Sequence, residues 1–85
     1  LGARQLGEIP WSVLHDRVES VVVPDEAIVA ARRALWGDAQ IVTEHGGAAA
    51  YAAVHSGAWT PPEGARVAVV VCGANTDPAS VMGAP

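Results

Sequence analysis

Arg66-Val67-Ala68-Val69-Val70-Val71-Cys72-Gly73-Ala74-Asn75-Thr76-Asp77 is an apolar run that ends abruptly in small and polar residues. Four of its first six residues are valine. An uninterrupted β-branched run of this kind predicts a strand buried on both faces, because such side chains fill a pleated surface well. At Cys72 the character turns small and polar. In an open parallel sheet, ligands bind in the crevice outside the carboxyl ends of the strands. Two readings of Cys72-Gly73-Ala74-Asn75 follow. It is a ligand-facing turn, or it is ordinary core and turn, since free cysteine is often a small buried hydrophobe and glycine a turn residue.

Working outward, Ser56 to Ala65 holds Gly57, Pro61, Pro62 and Gly64 and reads as a surface loop. Before it, Ala48-Ala49-Ala50-Tyr51-Ala52-Ala53-Val54-His55 is a helix former of little bulk, suited to close packing. Gly46-Gly47 ahead of it is either a simple turn or a set of backbone N–H groups open to an anion. Gln40 to Thr43 reads as a short extended piece. Pro24-Asp25-Glu26 opens a helix with acidic residues at the positive end of its dipole. Ile28, Ala31, Leu35 and Trp36 line one face of that helix, and Gly37 is the expected stop. Arg32 and Arg33 fall towards its C-terminus.

Further upstream, Glu19 to Val23 predicts a strand of four or five residues ended by Pro24. Apolar residues at 6, 9, 10, 13 and 14 predict a helix from about Glu8 to Arg17, with Pro10 tolerated in its first turn. Residues 1–5 read as a connector. Downstream of the valine run, Asp77-Pro78 is an N-cap followed by a first helical residue. Helices alternating with short, mostly parallel strands make the expected fold class α/β.

Composition narrows the function classes. The 85 residues allow one small domain, yet 51% are hydrophobic, largely alanine and valine, with no Phe. Mean hydropathy is +0.26. That is the make-up of the interior of something larger. The net charge is −4 and the basic residues are dispersed, which sets nucleic acid aside. No apolar run reaches the length of a membrane span, and no signal-peptide pattern opens the chain. A single cysteine excludes an internal disulfide and suits a reducing cytoplasm, the expected location.

No complete catalytic motif is present. His15, His45 and His55 lack metal-ligand spacing, and Cys72 has no zinc partner. There is no nucleophile elbow, no Walker loop and no dinucleotide fingerprint. The carboxylates at 8, 16, 19, 25 and 26 read as a solvated face.

Four segments taken together add a resemblance. They are Leu6-Gly7-Glu8; Val22-Val23-Pro24-Asp25-Glu26-Ala27-Ile28 with Ala31-Arg32-Arg33-Ala34-Leu35-Trp36; Thr43-Glu44-His45-Gly46-Gly47-Ala48-Ala49-Ala50; and Val70-Val71-Cys72-Gly73-Ala74-Asn75-Thr76-Asp77. In order and spacing they resemble the carboxyl-terminal quarter of the pyridoxal-phosphate-dependent threonine/serine dehydratase family, which has the tryptophan-synthase-β-like fold (fold type II) and includes serine racemases. The likeness runs from about Leu1 to Met82. It implies that residues 1–85 form the carboxyl-terminal part of the large cofactor-binding domain of a cytoplasmic carbon–nitrogen lyase of amino-acid metabolism.

The resemblance also implies roles. The family carries a Ser-Gly-Gly-Asn turn whose serine hydroxyl bonds the pyridine nitrogen of pyridoxal 5′-phosphate. Cys72 stands at the serine, Gly73 and Ala74 at the glycines, and Asn75 at the asparagine. A neutral Ser or Cys does not hold that nitrogen protonated, which weakens the electron sink and favours loss of a β-hydroxyl. A thiol donates more weakly than a hydroxyl. Glu44 matches the glutamate of a Glu-Pro motif, with His45 in place of the proline. It is either a pocket residue or a helix-start carboxylate. Gly7 matches a glycine lining the cofactor pocket.

The Schiff-base lysine lies upstream in the family, and this chain contains no lysine. The expectation is a fragment completed by the missing upstream part of the enzyme or by a second copy of the chain, acting on a small amino acid, with a homo-oligomer expected. The alternative is a stand-alone, non-catalytic α/β module for assembly or ligand binding.

Overall fold

A computed structural model describes residues 5–81. Its elements are three α-helices, α1 (Glu8–Leu14), α2 (Asp25–Ala39) and α3 (Ala49–His55), and 3-10 turns at Gly46–Ala48 and Pro78–Ser80. The connector expected over residues 1–5 lies, but for Gln5, outside the described residues.

The principal helix is α2, fifteen residues long. Asp25 and Glu26 occupy its first turn, where the dipole favours negative charge. Ile28, Ala31, Arg32 and Leu35 form its buried stripe at the spacing of one helix face. Gly37 does not end it. The helix runs on to Ala39 and closes on Gln40, whose φ of 54° is left-handed and whose N–H donates to the carbonyls of Leu35 and Trp36. Gln40 also donates its side-chain Nε2 to the Trp36 carbonyl at 2.8 Å, satisfying an acceptor at the helix end.

Against this stripe packs α3, entered through the 3-10 turn. Ala48 and Ala52 join Ile28, Ala31 and Leu35 in the core, with Val23, Ala49, Tyr51 and Val71 packed around them. The alanines let α3 lie close to α2. By contrast α1, shorter than the expected Glu8–Arg17, buries nothing, and Ile9 and Trp11 are exposed.

The expected α/β architecture is corrected here. The described residues contain helices and no strand. The β-branched runs at 19–23, 40–43 and 66–71 are non-helical, but no hydrogen-bonded ladder joins them. Exposure alternates only at the ends of two of them: Val22 is 88% exposed before a half-buried Val23, and Val70 is 74% exposed between half-buried Val69 and Val71. Period-two alternation is that of an extended chain. A strand also requires a neighbour to pair with, and propensity cannot supply one. The valine run is therefore not buried on both faces. Among the described residues no helix is long and apolar enough to cross a membrane.

Candidate functional site

Two backbone turns meet at the end of the valine run. The N–H of Glu44 donates to the carbonyl of Gly73 at 2.7 Å, and the N–H of Cys72 donates to the carbonyl of Gly47 at 3.4 Å. These bonds dock residues 44–47 on residues 72–73. Two glycines make the contact possible. A Cβ at Gly47 would overlap the backbone carbonyl of Cys72. Gly73 has φ of +75°, open to glycine at no steric cost, and the Glu44 side chain lies over it, with Oε1 2.9 Å from where a Cβ would stand.

Residues 44, 47, 72 and 73 thus share one junction. Gly47 is buried within it, and its carbonyl accepts the Cys72 N–H. The Cys72 thiol is exposed and free. Asn75 is exposed beyond the turn, which tightens through a 2.8 Å bond from the Thr76 N–H to the Ala74 carbonyl. Gly7 is placed elsewhere. It is the N-cap of α1 and lines a different hollow with Leu6, Trp11 and Ser20.

Beside the junction an open hollow of about 560 Å³ runs from the first turns of α2 to the 44–46 turn. Asp25, Glu44 and His45 supply its ionisable side chains, with Ile28, Val29 and Thr76 around them. Two carboxylates make it a poor seat for a phosphate.

Sequence reasoning missed the polar tie behind this hollow. Arg32, only 6% exposed, donates from Nε to the Thr43 carbonyl at 2.7 Å and from Nη2 to Ser80 Oγ at 2.8 Å. Its Nη1 lies 3.4 Å from Nε2 of His45. One guanidinium fork thereby fixes the start of the Glu44 turn and the turn after Asp77. A signal was available: position 32 falls four residues after Ile28, on the apolar stripe itself, where a charged residue must carry its own partners inside. The Thr43 hydroxyl, in the same place, is buried with no partner among the described residues.

The arrangement suits a neutral donor presented at the edge of a flat ligand. Cys72 offers a weak donor, Gly73 a backbone without bulk and Glu44 an adjacent carboxylate. A weak neutral donor is the chemistry that the ring-nitrogen edge of a pyridine cofactor would require, and Cys72 and Gly73 stand beside the hollow without lining it. The arrangement does not fit that cofactor's phosphate or an anchoring amine, since the chain has no lysine and Arg32 is committed to its own tie. No group of three or more His, Cys, Asp or Glu side chains placed to hold a metal occurs among the described residues. No family model, no curated protein and no solved structure matches the chain.

Proposed function

We propose that this chain is the pyridine-nitrogen side of a pyridoxal-phosphate-dependent threonine/serine ammonia-lyase, the carboxyl-terminal part of its large domain. The observation that carries the reading is the junction itself. Glu44, Cys72 and Gly73, singled out from separate stretches of sequence, lie together with the thiol outward.

When bound, pyridoxal phosphate supplies the electron sink that permits loss of a β-hydroxyl from serine or threonine, ending in a 2-oxo acid and ammonia. The chain's own residues supply orientation. Cys72 would donate weakly to the ring nitrogen and, being neutral, leave it unprotonated. Gly73 would keep the backbone clear of the ring, and Glu44 would hold that backbone through its N–H. The amine that anchors the cofactor and moves protons has to come from other polypeptide, because no lysine is present here.

The test uses pyridoxine, which has the ring and its nitrogen but neither the phosphate, for which this chain has no seat, nor an aldehyde to react. Millimolar probe should slow modification of the single thiol by a disulfide reagent and shift the amide resonances of Gly73, Ala74 and Asn75. Cys72→Ser should keep the amide shifts, and Cys72→Val should lose them. Unchanged thiol reactivity and unmoved amides would reject the reading.

A further inference from the structure

The carbonyl of Thr43 and the N–H of Glu44 belong to one peptide group, and both ends of it are engaged. Arg32 Nε donates to the carbonyl at 2.7 Å. The N–H passes a 2.7 Å bond on to the carbonyl of Gly73. A second path leaves the same guanidinium. Nη2 donates to Ser80 Oγ at 2.8 Å, and that hydroxyl donates in turn to the carbonyl of Asp77 at 2.6 Å. Each path is two hydrogen bonds long, and they end on residues 73 and 77. Between those ends lie Ala74, Asn75 and Thr76, and just before them stands the exposed Cys72 thiol.

A buried cation needs acceptors, and any nearby carbonyls meet that need. Solvating the charge does not require that both acceptors hand a bond onward to the two ends of one loop. Linked hydrogen bonds polarise one another, by about 10–30% per bond. A guanidinium on the Thr43 carbonyl makes the Glu44 N–H a stronger donor to Gly73, and the Ser80 hydroxyl gains in the same way towards Asp77. The planar fork holds the two paths at a fixed angle, so one rigid group sets where both loop ends lie. Its Nη1, 3.4 Å from His45 Nε2, adds a hold on the residue after Glu44.

We propose that Arg32 is the positioning residue of the 73–77 loop, holding both loop ends through these two relays and so fixing how Cys72 and Asn75 are presented. What they are presented to rests on the cofactor reading above, whereas the positioning itself does not.

Amide hydrogen exchange in the full chain tests it, read at Glu44 for the first relay and at Ala79, which donates to Asp77 Oδ1, for the second. Each rate is divided by that of the α2 interior in the same variant, so that global unfolding cancels. Ser80→Ala cuts only the second relay. Exchange at Ala79 should rise about tenfold, the scale of a lost bond to a charged group, and Glu44 should stay as it is. Arg32→Gln removes charge and fork, so both ratios should rise about tenfold or more, with the Glu44 amide proton moving upfield. Arg32→Lys should protect one loop end at most. Leu35→Val, a core change outside both relays, should leave both ratios unchanged. Arg32→Lys with both ends fully protected would overturn the proposal. So would Leu35→Val raising the ratios as Arg32→Gln does, since that is the mark of plain packing. Should Arg32→Gln not fold, Ser80→Ala and Arg32→Lys decide. Pyridoxine separates the two claims. Gly73, Ala74 and Asn75 amides that move in the parent chain and not in Arg32→Gln support the positioning role. Parent amides that never move reject the cofactor reading alone, and the exchange ratios then decide the role of Arg32.

Discussion

Nη2 of Arg32 donates a 2.8 Å hydrogen bond to Oγ of Ser80, joining residues 48 positions apart. Ser80 Oγ in turn donates to the Asp77 carbonyl at 2.6 Å, and Asp77 Oδ1 accepts from the Ala79 N–H at 3.0 Å. A buried cation on α2 therefore orders the last turn of the described chain through one hydroxyl. The same guanidinium fixes the carbonyl of Thr43, next to Glu44.

Arg32→Met should lower stability to urea by about 2–3 kcal/mol, the range for losing hydrogen bonds to a charged group in a site with little water. Arg32→Lys should recover less than half of that loss, because an ammonium cannot reproduce the planar fork. Hydrogen exchange at Ala79 and Ser80 should rise in both variants. Full protection of that turn in Arg32→Met would show that the tie does not order it.

Gly47→Ala places a methyl group on the Cys72 carbonyl. The clash is with backbone, so no rotamer relieves it, and a loss of about 2 kcal/mol or more is expected. Gly46→Ala is the control. A Cβ there meets only Glu44 Oε1 at 3.7 Å, an ordinary contact. Thermal melts of the two variants should differ clearly, and in Gly47→Ala the thiol should react faster with a disulfide reagent.

Thr43→Val replaces a buried hydroxyl that has no partner among the described residues by a methyl group of similar size. Leaving such a group unbonded costs about 1–3 kcal/mol. The substitution should therefore raise stability by about 1 kcal/mol, read as a higher urea midpoint with unchanged slope. A fall would mean that the hydroxyl has a partner in solution.

Gly37→Ala should stabilise by about 0.5–1 kcal/mol, the cost of glycine inside a helix. Nothing lies within 4 Å of the new methyl group. The helical signal at 222 nm and the thermal midpoint are the measurements. A destabilised variant would argue that α2 ends at this glycine in solution.

Gly37 also shows where sequence reading reached its limit. The apolar stripe of α2 was legible because a 3.6-residue period is written locally, and so was the Asp77-Pro78 cap, which needs only its own neighbours. The end of α2 was not. Gln40 takes the left-handed position instead, and nothing in its side chain announces that. The three β-branched runs failed as strands for a different reason: extended preference is local, whereas a ladder depends on what arrives alongside. Glu44 and Cys72 were both singled out in the sequence, but their meeting rests on Gly47 and Gly73 yielding space, a three-dimensional fact. Arg32 was taken for a helix-end cation when its register already put it inside.

The core has a thermal consequence. Among the described residues its buried hydrophobics are Ile28, Ala31, Leu35, Ala48, Ala52 and Val81, and three of these six are alanine. So little hydrocarbon leaves water that the heat-capacity step on melting should fall well below the about 1.0–1.3 kcal/mol/K usual for a chain this long. A lone chain would melt gradually, with a shallow calorimetric trace.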